Sequence, residues 1–254
     1  MRTALIGYTG FVGSTLDAEL QPSHRYRSTN IGEIRGETFD HIICAGVQAM
    51  KWWANKFPQE DKEGIMRLLD ALADVKADRF TLISSIDVYP SPRDVDESTV
   101  IDQTNHHAYG MHRLLVEEWV KEHFPHVSIL RLPGLFGPGL KKNVIFDLLH
   151  DNELEKVHPD GCFQYYDTRS LPADIEKAWE NDLPLLNLSA EPICTHEIRD
   201  VFFPGKMLGG VGPTPPGYDM KSKYATIWGG DNGYLYSKKS IFEQLGDWLN
   251  RQNA

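Results

Sequence analysis

The chain has 254 residues, about 1.7 times the ~150-residue domain prior, so one large domain or one domain with a small appendage fits its length. Its 26 Lys and Arg against 36 Asp and Glu give a net charge of −10 with no basic run, which argues against a generic binder of nucleic acid or anionic membrane. A hydrophobic fraction of 41%, no apolar stretch of membrane-spanning length and no charged-then-apolar leader argue against disordered, membrane-embedded and secreted classes.

Thr3-Ala-Leu-Ile-Gly7 is an apolar run of strand length, and Tyr8 to Leu16 continue as a glycine turn and a helix start. Gly7, Gly10 and Gly13 are spaced G-x-x-G-x-x-G, which permits a tight turn, close approach to a pyrophosphate and helix-on-strand packing. Helix N-terminal amides then face the phosphates. Further strands are expected over 26–29, over 41–44 ending in Ala45-Gly46, over 80–84 and over 127–132. Between them, a helix over 65–76 carries Ile65, Leu68, Leu69, Leu72 and Val75 on one face, and a helix over 109–123 buries Leu115, Trp119 and Val120. Strands alternating with helices specify an α/β fold, a Rossmann-type doubly wound parallel sheet with its ligand at the carboxyl ends of the strands. Residues 1–139 mainly form this core, and 140–254 a small substrate-binding region interleaved with it as a single structural unit. Phe203 to Gly217, with Pro204, Pro213, Pro215, Pro216 and five glycines, is expected to be a surface loop, either a connector or a substrate cover. Ser237 to Asn250 reads as a closing helix. Cys44, Cys162 and Cys194 are odd in number, far apart and without metal-ligand spacing. The simplest expectation is a reduced cytoplasmic protein with no disulfide framework and no metal.

Five segments in order resemble the extended short-chain dehydrogenase/reductases, the NAD-dependent epimerase/dehydratase family. They are the glycine turn, Asp40-His-Ile-Ile-Cys-Ala45, Leu82-Ile-Ser-Ser-Ile-Asp-Val-Tyr89, Tyr109-Gly-Met-His-Arg113 and Arg131-Leu-Pro-Gly-Leu-Phe-Gly-Pro-Gly139. The resemblance implies hydride transfer between a nicotinamide and a sugar or nucleotide-sugar carbon. It makes Tyr109 the acid/base and Ser85 the hydroxyl that bonds the same oxygen. It sets the cofactor on Gly7, Gly10, Phe11, Val12, Gly13, Asn30, Ala45, Tyr109, Arg113 and Pro133. Substrate is expected at Ser85, Asp87, Lys141, Asn143 and Tyr165.

The departures are informative. Arg113 stands where the family has a lysine, and it either keeps the positive charge beside the tyrosine or is a solvated helix residue. Asp87 occupies a position where dehydratases and decarboxylases of the family carry a glutamate, and epimerases often a small residue; its other reading is a turn cap. Asp61 replaces a helix asparagine that holds the active-site backbone. The acidic residue that ends the second strand is missing, with Ser28-Thr29-Asn30 there and Arg25 and Arg27 just before, so NAD or NADP is expected with a lean to NADP. Lys141 and Lys142 suit phosphate or are a solvated pair. His106 and His107 either touch substrate or, as adjacent histidines more often do, form a wet loop; Trp52 and Trp53 either line the pocket mouth or, the favoured reading, pack beneath the loop. The helix after Leu114 is one that relatives pair in a homodimer, although Trp119 is as readily a core residue. A rival reading is a dinucleotide-binding sensor or scaffold that lost turnover with its lysine.

Overall fold

The structure is a computed structural model and describes residues 1–104, 106–210, 212 and 214–252. In chain order the strands are β1 (Thr3–Ile6), β2 (His24–Tyr26), β3 (Thr38–Cys44), β4 (Lys76–Ser85), β5 (Arg93–Val95), β6 (Val127–Leu132), β7 (Gly134–Phe136), β8 (Cys162–Phe163), β9 (Tyr165–Asp167), β10 (Leu185–Asn187), β11 (Ile193–Cys194) and β12 (Asp219–Met220). The helices are α1 (Phe11–Leu20), α2 (Lys51–Lys56), α3 (Pro58–Leu72), α4 (Ala108–His123), α5 (Val144–His150), α6 (Leu171–Glu180), α7 (Thr195–Phe202) and α8 (Lys238–Gln252).

The chain forms two compact units, each assembled from three segments. The first comprises Met1–Pro90, Val100–Arg131 and Ser170–Leu186; the second comprises Ser91–Thr99, Leu132–Arg169 and Asn187–Ala254. The sequence reading divides the chain once, after Gly139.

The first unit holds a six-stranded sheet in the order β10-β6-β4-β3-β1-β2, and β1 pairs in parallel with both β2 and β3. Strand order therefore reverses at β1, the switch point beyond which doubly wound sheets bind ligands. Because both faces are covered by helices, its strands are apolar runs rather than alternating ones. Ile6, Ile42 and Phe80 from the strands pack with Leu69 and Leu72 of α3 and Val116 and Val120 of α4. Leu115 and Trp119 are only partly buried at the flank of that core, so the inner face of α4 is rotated from the expected one. The turn after β1 depends on glycine. Gly7 has φ +88°, and a Cβ on it would meet the Ala45 carbonyl oxygen at 2.5 Å.

In the second unit β7 pairs in parallel with β9, β5 in parallel with β12, and β8 antiparallel with β11. Its core gathers Phe136, Ile145, Leu148, Tyr165, Ile193 and Ile198 against Ile241, Leu245 and Trp248 of α8. Buried Gln164 ties three segments together: its amide donates to the carbonyls of Ala190 and Met220 at 2.6 and 2.7 Å, and its oxygen accepts from Met220 N–H.

Several expectations need correction. The second strand ends at Tyr26, and residues 27–30 form a turn closed by the Asn30 side chain accepting from Arg27 N–H at 2.7 Å. The helix expected over 65–76 starts seven residues earlier, because Pro58 fits the first helical position, where no N–H is needed, and Glu60 and Asp61 complement the first turn. Cys162 and Cys194, opposite each other on β8 and β11, are joined by a disulfide, so the expectation of no disulfide is overturned and only buried Cys44 is a free thiol. Antiparallel pairing brought together two residues 32 apart, which spacing alone does not reveal. Of the loop expected over 203–217, Val211 and Pro213 lie outside the described residues. No described helix is long and apolar enough to cross a membrane.

His41 on β3 gives a test of this packing. Its Nε2 bonds the Thr81 hydroxyl at 2.8 Å, its ring meets Trp179 edge-on, and Trp179 Nε1 donates to the same hydroxyl. Burial, reinforced by Arg79, pushes its pKa down from 6.5 to about 4. The unfolded chain therefore takes up the proton first. Stability should be full above pH 6.5 and fall by up to about 3 kcal/mol as pH drops toward 4. Urea melts across that window should show a shallower slope in His41→Gln.

Candidate active site

The carboxyl end of β4 runs into a short 3₁₀ turn, and this places Ser85 and Asp87 beside the start of α4. Ser85 caps the turn, its hydroxyl accepting from Asp87 N–H at 3.1 Å. Tyr109 is the second residue of α4 and only 6% exposed, and its N–H donates to the Asn55 side chain at 3.0 Å. The approach is close enough to require glycine at 110, where a Cβ would lie 2.2 Å from the Asp87 carbonyl oxygen and 2.2 Å from the His106 ring. His106 donates to the Val88 carbonyl at 2.9 Å, and His107 caps α4 by accepting from Gly110 N–H at 2.9 Å. The two histidines thus organise the helix start instead of forming a wet loop.

Arg113 lies one turn along α4, with its guanidinium 4.0 Å from the Tyr109 ring centroid. It is buried, which excludes the solvated reading. Its nitrogens donate to both oxygens of Asp61, at 2.6 and 3.2 Å, to the Tyr109 carbonyl and to the Gln48 carbonyl. His112 Nδ1 also meets Asp61, at 2.7 Å. Two departures noted separately in the sequence, arginine for lysine and aspartate for asparagine, are therefore one buried ion pair. The backbone-holding asparagine is Asn55.

Lys51, which sequence reasoning did not single out, lies beside this cluster. Its ammonium sits 2.7 Å from the Asp87 carboxylate, with side chains 41% and 15% exposed. Lys51 and Asn55 are four apart on α2, hence on one helix face, and that spacing was the available signal. Trp52 is 63% exposed and does not pack beneath a loop, whereas Trp53 lies against Phe57.

Electrostatics at Tyr109 are opposed. Burial raises its pKa above 10, and the Asp87 charge adds to this; Arg113, the Ser85 hydrogen bond and Lys51 pull it down without cancelling the burial. The phenol is thus protonated at neutral pH in the chain alone. His107 is lowered below 6.5, by burial first and then by Lys51 and His106, with Asp87 opposing.

The first turn of α1 fits a dinucleotide. Gly10 is its N-cap, no side chain caps the helix and no acid lies in its first turn, which leaves the end shaped for an anion. A Cβ on Gly13 would fall 2.0 Å from the Gly7 carbonyl oxygen, so the turn closes only as glycine. Phe11 and Val12 open α1, and Ala45 follows β3 with its N–H on the Ile6 carbonyl. Asn30 is occupied within its turn, donating to the Arg25 carbonyl at 3.1 Å, and Arg25 is paired with Asp17. Arg27 is exposed and donates to the Thr29 hydroxyl at 2.9 Å.

The remaining expected residues belong to the second unit. Pro133 is buried between β6 and β7. Asn143 caps α5, accepting from Ile145 and Phe146 N–H and donating to the Leu135 carbonyl at 2.7 Å. Lys141 is exposed, and Tyr165 is buried in the core with its pKa raised by burial. Among the described residues no group of three or more His, Cys, Asp or Glu is placed to hold a metal ion.

The NAD dependent epimerase/dehydratase family matches residues 27–160. No curated protein matches the chain. Among solved structures, the Bordetella bronchiseptica enzyme WbmG in complex with NAD is 16% identical with a TM-score of 0.75, over 99% of this chain and 94% of that one. The dTDP-4-dehydrorhamnose reductase of Bacillus anthracis in complex with NADP is 16% identical with a TM-score of 0.73, over 98% of each chain. The UDP-glucose 4-epimerase of Thermotoga maritima with UDP-glucose is 14% identical with a TM-score of 0.68, over 89% of this chain and 91% of that one. These likenesses show the fold.

The buried pair makes a prediction. Asp61→Asn or Arg113→Met alone strands a charge away from water and should cost about 3–5 kcal/mol in urea unfolding. The double variant should cost clearly less than the sum, and strict additivity would contradict the pairing.

Proposed function

The chain belongs to the NAD dependent epimerase/dehydratase family, and from that premise we propose that it is an NAD(P)-dependent enzyme acting on a sugar or nucleotide-sugar, with Tyr109 as acid/base. The observation that carries this reading is the convergence of Ser85, Asp87 and Tyr109 at the end of β4, with the Arg113 guanidinium against the Tyr109 ring. The solved structures with NAD, NADP and UDP-glucose support the same class of ligands. NAD or NADP, when bound on the Gly7–Gly13 turn, supplies the acceptor and donor of hydride.

In the oxidising direction Tyr109 accepts the proton of a substrate hydroxyl, and the Ser85 hydroxyl hydrogen-bonds the same oxygen. Burial alone opposes ionisation of the phenol, and nearby positive charge favours it, so proton uptake by Tyr109 is coupled to the charge in the site. Asp87 supplies, beside the Tyr109 phenol, a carboxylate for a proton on a neighbouring carbon. This favours elimination or decarboxylation over simple reduction. The lean to NADP rests on Arg27, exposed after β2 where a carboxylate would repel a 2′-phosphate.

The direct test is to denature the purified protein, identify the released small molecules by mass spectrometry, and assay UDP- and dTDP-hexoses with both cofactors. Tyr109→Phe should abolish hydride transfer and leave cofactor affinity nearly intact; an equally active variant would sink the acid/base assignment. Cofactor binding without turnover on any sugar would favour the sensor reading. Arg27→Ala should weaken NADP about tenfold, ~1.4 kcal/mol, and leave NAD unchanged.

A further inference from the structure

The positive charge of Arg113 stands beside Tyr109 but its donors are taken by other partners. Asp61, 2% exposed, takes Arg113 through two hydrogen bonds, and the carbonyls of Gln48 and Tyr109 take further donors. A guanidinium so held can tune the ring above it but has no freedom to follow a reaction. A second cation is nearby on a different element. Lys51 opens α2, meets Asp87 at 2.7 Å and remains 41% exposed, while Asn55 of the same helix face fixes the Tyr109 amide.

We propose that Lys51 is the positioning residue of this site, its ammonium orienting the Asp87 carboxylate beside Ser85 and Tyr109 and supplying the responsive positive charge that Arg113, locked to Asp61, does not. The proposal rests on the reading of Ser85, Asp87 and Tyr109 as the reacting groups. Three facts argue against an incidental surface pair. Asp87 is largely shielded at 15% exposure, so its carboxylate has little water to turn toward. The Lys51 charge reaches two other groups of the site, drawing Tyr109 down and His107 down. α2 serves the site twice, through residues four apart. Among the described residues, His107 and Tyr109 feel both charges of the pair, His106 stands beside His107, and Arg113 acts on Tyr109. Lysine suits this task, since a compact ammonium on a flexible stem can shift with its partner whereas a planar guanidinium fork fixes one geometry.

His107 provides a reporter that needs no substrate. Its imidazole titration is followed by NMR in the intact chain, assigned by loss of the signal in His107→Gln. In Lys51→Met its midpoint should rise by about half a pH unit or more, because a neighbouring positive charge is removed and Asp87 is released from its partner. Lys51→Arg should restore it, and Asp87→Asn should move it the other way. The second readout is hydride transfer on UDP- and dTDP-hexoses. Lys51→Met should lower kcat about tenfold or more with little change in KM, and Lys51→Arg should recover most of it.

An unmoved His107 midpoint in Lys51→Met overturns the proposal, whatever the sugar assays give. A moved midpoint with unchanged kcat, while Tyr109→Phe is inactive, overturns the positioning role and leaves the proposed function standing. Full activity in Tyr109→Phe overturns the proposed function instead, and the His107 shifts still report the Lys51–Asp87 coupling.

Discussion

Two residues 52 apart in the chain, Asp61 and Arg113, meet where water is excluded, and the candidate site is arranged around that meeting. A buried ion pair adds little net stability, since desolvation offsets the attraction, but neither partner can be lost without stranding the other. Here the pair joins the first turn of α3 to the first two turns of α4, and Arg113 also reaches the Gln48 carbonyl in the loop after β3. Three segments that arrive from different places are thereby held in one geometry. Tyr109, one turn before Arg113, inherits its position from this lock and from Asn55, which takes its amide.

The same constraint explains why the chain departs from its family at two positions together. An arginine in place of lysine brings a planar, longer head that needs a planar, bidentate partner, and an aspartate in place of asparagine provides one. The exchange sets the Arg113 guanidinium in a buried two-hydrogen-bond pair. The ammonium of Lys51, on a helix of six residues with an exposed aromatic neighbour, is 41% exposed. Charge near Tyr109 is thus divided between a buried pair and a half-exposed one, with the ring between burial, which keeps it protonated, and cations, which favour its ionised form.

Much of the fold was legible in the chain. Apolar runs of strand length separated by amphipathic helices report local period and burial, which residues within a few positions of one another determine. β3, β4, α4, β6 and α8 were anticipated to within a few residues, and the glycine turn was recognisable because its function depends on the absence of a Cβ. The misplaced start of α3 and the early end of β2 arose where capping and turn closure outweigh propensity. The short strands of the second unit carry no such signal. Strands of two or three residues have no measurable period, and their partners lie far away in the chain, as the pairing of Asp219 on β12 with Arg93 on β5 illustrates.

By itself the sequence determined the doubly wound class, the glycine turn and the ordered set of Ser85, Asp87, Tyr109 and Arg113, because these are written as local patterns whose spacing is the information. It did not determine what each charge does. That Arg113 pairs with Asp61, that Asn55 takes the Tyr109 amide, that Lys51 meets Asp87 and that Cys162 meets Cys194 emerge only in the tertiary structure. The physical reason is range. Hydrophobic periodicity is a property of a single segment, whereas a hydrogen bond, an ion pair or a disulfide requires two groups within a few ångströms, and only the packed chain sets which distant residues come that close.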